Sequence, residues 1–300
     1  MSVSGPTGSV AHWIEAYRPR TLPAAIAPVL VASALAERDG KFGLIAASLC
    51  LSFALLIQIG TNLANDYFDF KKGADTAERV GPRRAVAAGL IAPEVMKRAM
   101  IGVFVAAFFV GLGLLPFGGW PLLFIGLASI FCGIIYTGGP YPLAYHGWGD
   151  VFVFLFFGLV AVGATYYVQA GEVSTHAWWM GALVGALSTN ILVVNNYRDI
   201  ETDRKANKCT LAVRFGRAFS QWQFVTAHVL GLLVLAIFWR DGLWATLSWS
   251  ILSLVAVVEG VRQWMILKRA NSSEELIRLL GRTGRHVAIM AVLIAVALVS

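Results

Sequence analysis

The chain has 300 residues, 58% of them hydrophobic and only 14% charged. Soluble domains carry roughly 25% charged residues, so this much apolar surface cannot be hidden in one water-soluble core. A membrane protein with several spans is predicted. The formal charge of +7 reads as loop lysines and arginines, and with no basic soluble module in sight nucleic-acid binding is not expected.

The first 17 residues contain no Lys or Arg, so the basic region of a cleaved signal peptide is missing. Arg18 to Pro23 reads as an interfacial helix start, with Arg18 a candidate anion contact. Apolar runs follow at Leu22–Ala36, Leu44–Ala64, Ala99–Pro116, Leu122–Tyr136, Val151–Gln169, Trp178–Val194, Phe224–Trp239, Leu243–Val258 and Val287–Val299. Several are shorter than the ~20 residues of a straight span, and flanking Trp and Tyr extend them into the interface. The whole chain, residues 1–300, reads as one membrane domain.

The loops alternate in charge. The N-terminus and the loops after spans two, four, six and eight hold 21 of the 24 Lys and Arg; the other side holds Arg38, Lys41 and Arg240. This asymmetry predicts a cytoplasmic N-terminus.

Span two ends in Asn62, Asn65, Asp66 and Asp69, continuing to Asp75. Span six ends in Asn195, Asn196, Tyr197, Arg198, Asp199 and Asp203. Asn62 and Asp66 are four apart, as are Asn65 and Asp69; Asn195, Asp199 and Asp203 form a stripe at successive fours. Such spacings share a helix face. Both stripes open basic loops on the predicted cytoplasmic side. The aligned Asn/Asp pattern, four spans apart, hints at two related four-helix halves plus one helix.

Carboxylates at a helix C-terminus oppose the macrodipole and one another. A divalent cation removes both penalties. Oxygen donors without His or Cys point to Mg²⁺ or Ca²⁺, and Mg²⁺ completes its shell with phosphate and water. Lys71, Lys72, Arg83 and Arg84 follow the first stripe; Arg198, Arg204, Lys205, Lys208 and Arg214 accompany the second. Carboxylates and cations at the membrane edge suit a lipid-linked diphosphate. No nucleotide-type Gly-rich loop occurs.

Other features read as ordinary structure. Tyr136 to Pro142 is a turn-rich connection that brings aromatic faces to the same side as the stripes. His228 reads as a bonded core residue, Asp150 and Glu172 as boundary charges, and Glu259 as the partner of Arg262. Cys50, Cys132 and Cys209 have no metal-type spacing.

Three stretches, Asn62 to Gly89, Tyr136 to Asp150 and Asn195 to Gly216, together with Arg18 to Val29, resemble the UbiA superfamily of intramembrane prenyltransferases. Within it they resemble the branch that prenylates 1,4-dihydroxy-2-naphthoate for menaquinone. The resemblance implies an all-α membrane protein with nine helices around a central cavity open to lipid. It implies transfer of a polyprenyl group from polyprenyl diphosphate to the naphthoate, with loss of CO₂ and diphosphate, giving demethylmenaquinol. The implied cofactor is Mg²⁺, held by Asp66, Asp69, Asp75, Asp199 and Asp203 and supported by Asn62, Asn65 and Asn195. Lys71, Arg83, Arg84, Arg198 and Lys208 would meet the diphosphate, and Tyr67, Tyr136, Tyr141 and Tyr197 would steady an allylic cation. Gly73 stands where the superfamily pattern has a third Asp, and Asp75 follows two positions later. Asn207 stands where Gly is more usual, a position that tolerates left-handed backbone. A 4-hydroxybenzoate enzyme of the same superfamily, a secondary transporter and a non-catalytic scaffold are the competing readings.

Overall fold

A computed structural model describes residues 6–75, 80, 81, 83–240 and 247–300. Arg79 and the first residues of the predicted run Leu243–Val258 lie outside the described residues. Among the described residues every regular element is helical. Helices satisfy all backbone groups within one segment, which a lipid surrounding requires.

A short surface helix, α1 (Val10–Tyr17), leads into α2 (Leu22–Arg38). Then come α3 (Leu44–Lys71), α4 (Pro93–Leu112), α5 (Trp120–Ile135), α6 (Gly149–Ala170), α7 (Thr175–Lys205), α8 (Leu211–Arg240), α9 (Leu247–Arg269) and α10 (Ser273–Val299). Eight helical segments are long and apolar enough to cross a membrane, and α5 is a shorter apolar helix of 16 residues. Among the described residues each of the nine predicted runs falls on a helix, in order.

The boundaries differ where polar residues lie inside the bundle. α10 begins at Ser273, fourteen residues before the predicted Val287. Its first turns looked like loop because of Arg282 and Thr283. Both are satisfied by α9: Arg282 pairs with Glu259, and Thr283 Oγ1 donates to Gln263 Oε1 at 2.9 Å. Glu259 thus pairs with Arg282 rather than the expected Arg262. α8 starts at Leu211 but is broken at Gly216 (φ 81°, ψ −177°).

Helix association in lipid depends on close packing rather than on the hydrophobic effect. α2 supplies a row of buried alanines against α10 and α6. Gly158 of α6 lies against Gly181 and Gly185 of α7; a Cβ at 158 would sit 2.4 Å from the Gly181 carbonyl oxygen. At this contact α6 widens into a π-helical turn, Leu155–Val160. The helices enclose a cavity of about 310 Å³, apolar along most of its depth and polar at the end where α3 and α7 terminate.

Candidate active site

α3 runs unbroken to Lys71, so Asn62, Asp66 and Asp69 are helical as expected. It then stops at Gly73, which adopts φ 68°, a conformation that costs an L-residue steric strain. Ala74 N–H caps the helix by donating to Asp69 O. This turn is why Asp75 lies off the helix rather than on its stripe.

Asp66 is 1% exposed, and its two carboxylate oxygens accept the backbone N–H groups of Ala85 and Val86, each at 3.1 Å. That tie fixes the segment after the loop and delivers Arg84 to the site. Arg84 is buried, with Nη2 3.0 Å from Asp69 Oδ2 and Nε 3.5 Å from Asp75 Oδ1. Its neighbour Arg83 points the other way and pairs with Glu15 of α1 on the surface at 3.3 Å.

α7 carries the second stripe to its last turns. Arg198 grips Asp199 through two hydrogen bonds of 2.7 and 2.6 Å and donates a third, at 2.9 Å, to Asn195 Oδ1. Lys208 lies 3.7 Å from Asp203. The chain turns between them at Asn207, whose φ of 54° shows the left-handed backbone expected there.

The segment between α5 and α6 joins the two tips. Tyr145 Oη donates to Asp69 at 2.8 Å, while its carbonyl accepts from Cys209 N–H beyond the second stripe at 2.9 Å. Lys72 and Lys208 lie over the same Tyr145 ring, at 4.7 and 5.6 Å. Thr137 donates to Asn65 Oδ1 at 2.8 Å, and its carbonyl accepts from Lys72 Nζ at 2.7 Å. Burial and the nearby Asp69 carboxylate push the Tyr145 hydroxyl far above its ordinary range. Burial lowers the Lys72 ammonium somewhat, opposed by Asp69.

Of the residues singled out in the sequence, Asn62, Asn65, Asp69, Arg84, Tyr136, Asn195 and Lys208 line the cavity, as does Arg18. Asn62 also ties α3 to the N-terminal segment by donating to Tyr17 O at 2.9 Å. Asp66, Asp75, Arg198, Asp199 and Asp203 stand behind this lining as partners of its members or of neighbouring backbone. Lys71 is exposed over Tyr67. Tyr141 is exposed and stacks on His146 at 3.6 Å. Tyr197 is buried among α8 and α10 residues and accepts from Gln221. Sequence reasoning passed over Tyr145 and Thr137; Asp150 stands at the start of α6, as a boundary charge should, but is buried and lines the cavity. The alternation of Tyr, Thr and Gly in that loop was visible, but only the fold shows it spanning the two tips.

A model of the UbiA prenyltransferase family matches residues 25–281. The chain belongs to the UbiA prenyltransferase family. A 1,4-dihydroxy-2-naphthoate octaprenyltransferase of Mycobacterium leprae is 37% identical over 97% of both chains. The Escherichia coli protein of the same name is 38% identical over 80% of each chain, and that of Haemophilus influenzae 42% over 68% of this chain and 69% of its own. The fold matches a UbiA homolog from Archaeoglobus fulgidus, solved bound to GPP and Mg²⁺, with a TM-score of 0.68 at 14% identity, covering 96% of this chain and 99% of that one. A structure of digeranylgeranylglyceryl phosphate synthase superposes with a TM-score of 0.63 at 14% identity, covering 97% of this chain and 98% of that one. As a UbiA family member the chain is an intramembrane transferase.

The donor set suits Mg²⁺. It is built of oxygens, and among the described residues no three His, Cys, Asp or Glu side chains form a closed metal cage. Mg²⁺ needs none, since it takes one or two carboxylates and leaves the rest of its shell to phosphate and water. Among the described residues Arg84 Nη1 and Arg198 Nη1 are buried N–H groups without hydrogen-bond partners, which suits oxygens of an anionic substrate.

Proposed function

We propose that this chain transfers a polyprenyl group from polyprenyl diphosphate to 1,4-dihydroxy-2-naphthoate, releasing CO₂ and diphosphate and giving demethylmenaquinol. The observation that carries this reading is the match along 97% of the chain to relatives named for that acceptor, together with one cavity that is ionic at its tip and apolar below. Asp69 and Asp75 from one side, and Asp199 and Asp203 from the other, would hold Mg²⁺. Asp66 would serve by anchoring the Arg84 segment. When bound, Mg²⁺ offsets the charge of the departing diphosphate. Arg84, Arg198, Lys72 and Lys208 add fixed positive charge at the same end. Tyr136, Phe53 and Phe156 line the cavity and offer aromatic faces to an allylic cation. The apolar walls keep water from quenching it. The lipid bilayer would solvate the prenyl tail, and the excess of Lys and Arg in the loops at this end supports a cytoplasmic-facing site in the inner membrane.

The test is an assay of purified protein with labelled polyprenyl diphosphate, with and without Mg²⁺, offering the naphthoate and 4-hydroxybenzoate separately. Mg²⁺-dependent labelling of the naphthoate is expected. Labelling of hydroxybenzoate alone would move the chain to the other branch of the family.

A further inference from the structure

Asp150 differs from the four carboxylates of the site that pair with an Arg or Lys. Asp69 and Asp75 share Arg84, Asp199 is held by Arg198, and Asp203 by Lys208. Asp150 is 6% exposed and lines the same cavity, yet no Lys or Arg pairs with it among the described residues. Its recorded side-chain partner is a neutral amide: Gln223 Nε2 of α8 donates to Oδ1 at 2.8 Å. A buried acid facing a cavity without a cation is costly to keep ionised and is a functional candidate for that reason.

Its position is set by backbone contact. Gly149 lies so close to Tyr136 that a Cβ there would stand 3.0 Å from the Tyr136 hydroxyl. Asp150 follows immediately. Asp150 thus lines the same cavity as Tyr136 and Asp69, while standing outside the ion pairs of the two aspartate tips.

We infer that Asp150 is the proton acceptor for the acceptor ring, taking the proton of the hydroxyl beside the carboxylate-bearing carbon. This rests on the transferase reading above. The ring carbon bearing the carboxylate forms the new C–C bond to the allylic carbon. The allylic C–O bond breaks, and its electron pair leaves with diphosphate. The hydroxyl proton passes to Asp150, leaving a ring carbonyl next to a carbon that holds both prenyl group and carboxylate. That β-keto arrangement loses CO₂; the C–C electron pair restores the ring, and the oxygen takes its proton back from Asp150. No proton, oxidant or reductant is needed from elsewhere. A neutral partner such as Gln223 suits the role, because an arginine would hold the carboxylate ionised and blunt it as a base.

Asp150→Asn tests this, since an Asn carbonyl keeps the Gln223 hydrogen bond and removes the base. We expect kcat to fall about 10²- to 10⁴-fold, with KM for polyprenyl diphosphate unchanged. The lost rate should return in part as pH rises toward ~10, where a phenol-type hydroxyl ionises unaided. A second measurement does not depend on the variant: wild-type protein given the acceptor methylated on that hydroxyl should make no product. Full activity of Asp150→Asn, a loss that high pH does not relieve, or turnover of the methylated acceptor would each overturn the assignment. Failure of wild-type protein to label the unmodified naphthoate would instead defeat the functional reading on which it rests.

Discussion

Tyr145→Phe removes one oxygen atom and little else. In the wild type that hydroxyl donates to Asp69 Oδ1 at 2.8 Å, while Arg84 holds Oδ2 at 3.0 Å, so Asp69 is fixed from both sides. The Tyr145 hydroxyl is raised far above its usual range, so it remains a donor at any practical assay pH. A hydrogen bond to a charged group contributes about 1.5–3 kcal/mol, which corresponds to roughly a 10- to 150-fold loss in kcat/KM, at about 1.4 kcal/mol per factor of ten. The ring stays, so Lys72 and Lys208 keep their positions over it. Tyr145→Leu removes that support as well and should cost a further ~0.5–2 kcal/mol. Steady-state assays at several Mg²⁺ concentrations read the effect, and the Phe variant should need more Mg²⁺ for half-maximal rate. Wild-type kinetics in Tyr145→Phe would refute the claim that this loop orients Asp69.

Asp69→Ala or Asp199→Ala should abolish turnover while the protein still inserts and purifies as a folded species; retained activity in both would end the metal-site proposal. Arg84→Ala and Arg83→Ala form a contrasting pair measured in one activity assay. The first leaves Asp69 and Asp75 without their buried cation and should be nearly inactive. The second breaks an exposed ion pair of the kind that contributes ~0–1 kcal/mol and should act like wild type. Gly158→Leu should lower the yield of folded protein on size-exclusion chromatography, because its side chain would meet Gly181 and Gly185 backbone at less than contact distance; a wild-type elution profile and melting temperature would contradict the packing described for α6 and α7.

The span order and the two stripes were legible because lipid imposes a simple rule: apolar runs of helical length, interrupted only where polar groups are needed. Asn207 was legible too, as a position that tolerates left-handed backbone, whereas the turn at Gly73 shows only in the fold. The start of α10 was hidden because Arg282 and Thr283 read as loop until Glu259 and Gln263 of α9 are seen to satisfy them. Tyr141 and Tyr197 show a different limit. Proximity in sequence to a site residue does not say which way a ring faces: Tyr197 neighbours Arg198 but packs against α8 and α10. The same holds for Arg83 and Arg84, adjacent in the chain and opposed in space.

That opposition gives Asp66 a part different from that of Asp69 and Asp75, which share Arg84. Asp69 and Asp75 hold Arg84 electrostatically, but a salt bridge alone does not set where the backbone of the 84–90 segment lies. Asp66 does, by accepting the N–H groups of Ala85 and Val86 directly after Arg84. Buried backbone donors must find acceptors, so the two carboxylate oxygens of Asp66 fix both position and direction of that strip of chain. Asp66→Asn keeps one acceptor and replaces the other with a donor facing an N–H. It should therefore disable the enzyme by misplacing Arg84 rather than by removing a ligand. The two causes separate in an Mg²⁺ titration: added metal should not rescue Asp66→Asn, whereas a ligand loss should shift the Mg²⁺ dependence to higher concentration.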